Sequence, residues 1–170
     1  MNRILVLTLF VCVPAVDAQA GKLATDAKVY YDGVKNFVLR SAEKMPEEKY
    51  SFKPVDTVRS FGQILGHIAD AQYLLCSAPR GEKAPPQVVE KTKTTKAELI
   101  QALKDSFAYC DAAYADLSDA KAVEIVKFFN NDRARISVLT FNTGHTFEHY
   151  GNLITYLRIN GIVPPSSDRQ

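Results

Sequence analysis

The sequence predicts an all-α protein, a four-helix bundle, on three observations. Apolar residues recur at three- and four-residue steps through four long stretches. Residues that start and stop helices stand at the ends of those stretches. The 170 residues, 46% hydrophobic and 24% charged, suffice for one domain with a real core, and eight glycines and eight prolines are too few for a disordered or fibrous chain.

In chain order, Leu23, Ala27, Tyr30, Val34, Phe37 and Met45 give the first helix one apolar face, and Pro46 stops it. Residues 46–54 read as a connector, with Asp56 or Ser60 as the cap of the next helix. That second helix carries Phe61, Ile64, Leu65, Ile68, Ala71 and Leu75 and ends near Pro79-Arg80-Gly81. A polar loop with Pro85-Pro86 then runs to Thr95, where Thr95-Lys96-Ala97-Glu98 has capping-box spacing. Leu99, Leu103, Phe107, Cys110, Tyr114 and Leu117 mark the third helix. Val123 to Phe129 reads as a short strand or an extended loop, and Asn130-Asn131-Asp132 as a turn. The fourth helix runs from about Ala134 to Asn160, with Gly161 as its stop and Pro164-Pro165 beyond.

A formal net charge of +2 excludes nucleic acid as the main partner, because phosphate binding needs clustered positive charge. The beginning of the chain reads as an address. Met1-Asn2-Arg3, the apolar run Ile4–Val16 and Asp17-Ala18-Gln19-Ala20 have the layout of a secretory signal peptide cut after Ala20. Thirteen apolar residues interrupted by Pro14 are too short to span about 30 Å of bilayer, so no stable membrane anchor is expected after cleavage. The expected division is residues 1–20 as signal peptide and 21–170 as the bundle domain, in a periplasmic or secreted protein. Without Cys12 the chain keeps Cys76 and Cys110, either a disulfide between helices or two small buried residues.

Chemistry has few places to sit, because there are only three histidines. His145 and His149, spaced i, i+4, project from one side of the fourth helix, so two imidazoles can grip one metal ion. They lie in a polar stripe with Asn142, Asn152 and Tyr156, while His67 lies on the apolar side of the second helix between Ile64 and Ala71. A core polar group needs a partner, which here is a ligand, a water cluster or a hydrogen-bond network. Gly62 and Gly66 precede His67, and Gly144 and Gly151 flank the pair; each costs roughly 1 kcal/mol against alanine unless close approach or ligand space offsets it. Spacing alone leaves two readings open, a three-histidine metal site and hydrogen-bonded core histidines. Asp70, three residues after His67, is a candidate catalytic base or partner of an imidazole, against the plainer reading of an exposed helix carboxylate. Asn142, Asn152, Gln63 and Tyr156 are candidate hydrogen-bonding helpers, whereas Glu148 is expected to face away from the metal.

The segment from Gly144 through His145, His149, Asn160 and Gly161 to Pro165 resembles the last helix of the DinB-like family, and Ser60–Asp70 resembles that family's first histidine-bearing helix. The likeness spans about Leu23 to Ser166. It implies an up-down-down-up four-helix bundle with a divalent metal ion, zinc or nickel foremost, held by His67, His145 and His149. It further implies a metal-dependent transferase or hydrolase acting on a small molecule, since relatives include transferases and isomerases that use low-molecular-weight thiols. Homodimerisation is an expectation from the family alone. Two alternatives compete: a non-enzymatic metal-binding or interaction bundle, and a metal-free module whose histidines satisfy one another.

Overall fold

The computed structural model describes residues 22–168, so the signal-peptide reading and Cys12 lie outside the described residues. These residues are mostly helical: α1 (Lys22–Lys44), α2 (Phe61–Arg80), α3 (Val89–Thr92), α4 (Lys96–Ala115), α5 (Asp119–Ala122) and α6 (Arg135–Ile159). A hairpin, β1 (Ile125–Phe128) and β2 (Asn131–Ala134), precedes α6. Among the described residues no helix is long and apolar enough to cross a membrane.

Local chemistry sets most of the helix ends. Of the two candidate caps for α2, Ser60 is the one used: its hydroxyl accepts from the Gln63 amide, and the Gln63 side chain accepts from the Ser60 amide. Thr95 and Glu98 repeat the arrangement at α4. Gly81 (φ 69°) and Gly161 (φ 72°) end α2 and α6 in the left-handed conformation that favours glycine.

The predicted apolar stripes of α2 and α4 are buried as read. The α1 stripe is buried only in part. Val34 and Met45 are in the core and Phe37 packs against it, but Leu23 and Tyr30 are exposed, and Ala24, Tyr31, Val38 and Ala42 complete the buried face. Tyr31 decides the rotation: its ring stacks on Tyr114 at 3.9 Å, and its hydroxyl lies 3.0 Å from both the Phe107 carbonyl and the Asp111 carboxylate.

Each long helix packs on two others, α1 and α2 both lying against α4 and α6. Lys96 at the start of α4 reaches the Met45 carbonyl just past the end of α1, so these two helices run in opposite directions. Phe37 stacks on Tyr150, and Lys44 reaches the Val163 carbonyl, so α1 and α6 run the same way. Tyr156 near the end of α6 donates to the Arg59 carbonyl before α2, making that pair antiparallel. Gly62 packs near Leu99 and Cys76 against Cys110, so α2 and α4 run together.

Cys76 and Cys110 are bonded, with Cα atoms 5.4 Å apart, which settles the choice between bridge and free thiols. Beside them lies a buried polar network. Gln72 donates to the Thr146 hydroxyl (2.8 Å) and accepts from the Asn142 amide (3.0 Å). Asn142 and Thr146 flank His145 on α6, so the network pins that stretch of helix to α2 from behind. The hairpin braces the same stretch from outside. Of the two readings for Val123 to Phe129, the strand holds over 125–128, and it pairs antiparallel with 131–134, where the residue types point to a turn and a helix start. The turn is Phe129-Asn130, both with positive φ (45° and 63°), the backbone that a two-residue hairpin requires. Phe128 packs on Phe141, one helical turn before His145.

Candidate metal centre

α2 supplies His67, and α6 supplies His145 and His149. Because α2 and α6 are antiparallel and locked by the Gln72 network, the three rings meet at one level. His145 Nε2 lies 3.2 Å from His67 Nε2 and 3.1 Å from His149 Nε2, and one ring nitrogen of each residue lies within 4.8 Å of the others. His149 is only 7% exposed, and the other two rings are half-buried. The second nitrogens differ. His67 Nδ1 is 3.3 Å from Glu90 Oε2, His149 Nδ1 is 3.5 Å from Asn152 Nδ2, and His145 Nδ1 is buried without a hydrogen-bond partner among the described residues.

A cleft of about 670 Å³ opens beside His149, with Lys53, Asp56, Arg59, Glu90 and Glu148 among its walls. Glu148 is exposed and lines this cleft, and its charge partly offsets the depression at His145. Burial holds all three imidazoles below their usual range, and the Arg59 guanidinium adds to the effect at each. His149 is pushed down to about 4, by burial first and then by the neighbouring rings. Neutral rings are the protonation state that a metal ion requires.

These depressions fix the sign of the pH dependence. Unfolded imidazoles titrate near 6.5, so the unfolded chain binds protons first as pH falls. In chelator, the metal-free protein should have this stability in full above about pH 6.5 and lose it progressively down to about pH 4. His149 alone contributes up to about 3 kcal/mol across that window. Urea unfolding at pH 7, 5.5 and 4 measures it; a flat profile would contradict the buried neutral site.

The other sequence candidates have different placements. Asp70 is 6% exposed, not a surface carboxylate, and its two oxygens accept the amides of Val89 and Glu90 at 3.0 Å each, capping α3. Asn142 belongs to the core network, Gln63 to the α2 cap, and Tyr156 to the Arg59 carbonyl; only Asn152 stays beside a ring. Sequence reasoning missed Glu90 and Arg59, which are joined by an ion pair at 2.8 Å. Nothing local distinguishes Glu90 from other acids in a lysine-bearing loop, although the mid-helix Gly66 beneath it was a signal of close approach.

Comparison with known proteins agrees with this architecture. The chain is 24% identical over 130 residues to the uncharacterised protein YjoA of Bacillus subtilis, a match covering 75% of this chain and 84% of that one. The crystal structure of a DinB-like protein from Bacillus cereus superposes with a TM-score of 0.71 at 16% identity, covering 86% of this chain and 97% of the other. That of the DinB-like YjoA from Bacillus subtilis superposes with a TM-score of 0.68 at 21% identity, covering 85% and 99%. At these identities the structures speak for the fold alone. The family model of the DinB superfamily matches residues 32–153, a span that holds His67, His145 and His149 and well over half the sequence. The chain belongs to the DinB superfamily.

Proposed function

We propose that His67, His145 and His149 hold a divalent metal ion, zinc or nickel, and that the adjoining cleft is the active site of a metal-dependent transferase or hydrolase. The convergence of the three Nε2 atoms carries the reading. Tetrahedral ligation at 2.0–2.1 Å separates imidazole nitrogens by about 3.3 Å, close to the 3.1 and 3.2 Å here. Hydrogen bonding among the rings is a poorer account. Each Nε2 has one in-plane direction, filled by a proton or a lone pair. His145 Nε2 can therefore make only one good bond while it faces two neighbours; a cation engages all three lone pairs.

Three protein ligands leave a coordination position open, as in catalytic rather than closed structural sites. A metal ion bound there would supply Lewis acidity next to the cleft. Both cations on its walls are paired, Arg59 with Glu90 and Lys53 with Asp56, so the walls by themselves set no preference for a charged substrate. Four long helices running up, down, down and up, by the pairings described above, support the family's four-helix bundle as the scaffold. The bonded Cys76 and Cys110 suit an oxidising compartment, which supports export to the periplasm or outside the cell.

Metal analysis of protein purified at neutral pH, followed by cobalt substitution, tests the function. One metal ion per chain is expected, with a visible cobalt spectrum that shifts when azide or a small thiolate is added. A spectrum unmoved by either would favour the non-enzymatic metal-binding reading, and no uptake at micromolar metal would overturn the site.

A further inference from the structure

We propose that Glu90 is a positioning residue for the histidine cluster: its carboxylate, delivered by α3, holds His67 as the Nδ1–H tautomer with Nε2 turned towards His145. The proposal rests on the metal reading above only for its effect on affinity.

Three separate contacts hold α3 in place, two from α2 and one from Arg59 just before it. Asp70 on α2 takes the backbone amides of Val89 and Glu90, one on each carboxylate oxygen, at 3.0 Å. Gly66, one helical turn earlier, lets the α3 backbone approach, because a β-carbon there would stand 2.6 Å from Glu90 Cα. Arg59 Nε donates to Glu90 Oε1 at 2.8 Å, which leaves Oε2 for the ring. Oε2 lies 3.3 Å from His67 Nδ1, an ion-pair contact just beyond the usual length of an N–H···O bond.

Two neutral tautomers compete in a free imidazole. A carboxylate at Nδ1 selects the one whose Nε2 carries a lone pair and raises its basicity. Among the described residues no other carboxylate lies within ion-pair distance of these rings, His149 having Asn152 and His145 no partner at Nδ1. Asp70, the acid nearest to His67 in sequence, thus acts on that ring through the segment it anchors. An ion pair between Arg59 and Glu90 alone, tying surface segments together, would leave the tautomer and the metal affinity unaffected.

The test uses the full chain and two readouts. In metal-free protein, nitrogen-15 chemical shifts of the His67 ring should report the Nδ1–H tautomer; Glu90→Ala should shift it to a mixture, and Glu90→Gln, with one acceptor oxygen for the two donors Arg59 and His67, should shift it part of the way. By competition against a chelator, Glu90→Ala should weaken zinc binding by roughly 10- to 100-fold. Gly66→Ala, which removes no polar group but displaces the α3 backbone, should weaken it in the same direction. A Glu90→Ala protein with an unchanged tautomer, or with zinc affinity within about twofold of wild type, overturns the proposal; if the alanine variant does not fold, an unchanged tautomer in Glu90→Gln overturns it instead. Wild-type protein that binds no zinc overturns the metal reading instead, and the metal-free tautomer still decides whether Glu90 sets the ring.

Discussion

The full chain carrying His149→Ala should bind zinc roughly 100- to 1000-fold more weakly than wild type, because structural zinc sites draw about 10–16 kcal/mol from four ligands, or about 3 kcal/mol each. Only His67 and His145, 3.2 Å apart, would remain as ligands, with a vacated space in place of the most buried ring of the cluster. The same substitution should change metal-free stability in the opposite sense in acid. Wild type loses stability between about pH 6.5 and 4 as the unfolded His149 takes up a proton that the folded one refuses. The alanine variant lacks that titration, so its stability should fall less steeply over this window, whatever the cavity costs at pH 7. Chelator competition and urea unfolding at two pH values read the two effects separately. A core histidine with no metal role would yield the second effect alone, and wild-type zinc affinity in the variant would remove His149 from the site.

How much of the fold and site is legible in the sequence depends on how local each determinant is. The α2 cap needs only Ser60 and Gln63, and its buried face repeats within the helix itself. The i, i+4 pair His145 and His149 is likewise a property of one helix. The face of α1 is ambiguous in sequence because Val29, Tyr30 and Tyr31 are consecutive and apolar, so periodicity fits more than one orientation. The choice is made by Phe107 and Asp111, 76 and 80 residues further along. β2 escapes notice because Asn131-Asp132-Arg133-Ala134 has no β-branched or aromatic residue, and its pairing is imposed by the tight turn before it. The glycines divide in the same way. Gly62 and Gly66 face close neighbours on other segments, whereas a β-carbon at Gly144 or Gly151 would meet nothing within 4 Å. Close approach thus explains the α2 glycines and leaves the α6 glycines without a packing reason. Glu90 is illegible because its link to His67 runs through Asp70 and Gly66, three residues whose types are ordinary and whose meeting is tertiary.

Replacing both Cys76 and Cys110 by alanine should destabilise the metal-free chain by about 4 kcal/mol, the loop-closure entropy for a sequence separation of 34 residues. That is a large share of a typical total of about 5–15 kcal/mol. The closed loop contains the whole connector from Gly81 to Thr95, with α3 and Glu90 on it. Unbridged, that polar connector would rest on the Asp70 caps, the Arg59 ion pair, the packing of α3 on α2 and the bonds of Arg80 and Tyr109 to Glu82. Both cysteines are fully buried, so a reductant should reach the bond only as fast as the chain opens. Equilibrium urea unfolding, with chelator to exclude metal linkage, should show the midpoint falling by roughly 2 M at a slope of about 2 kcal/mol per molar. A midpoint that does not move would mean that the helix seams alone supply the stability, and the inference from this bond to an oxidising compartment would lose its support.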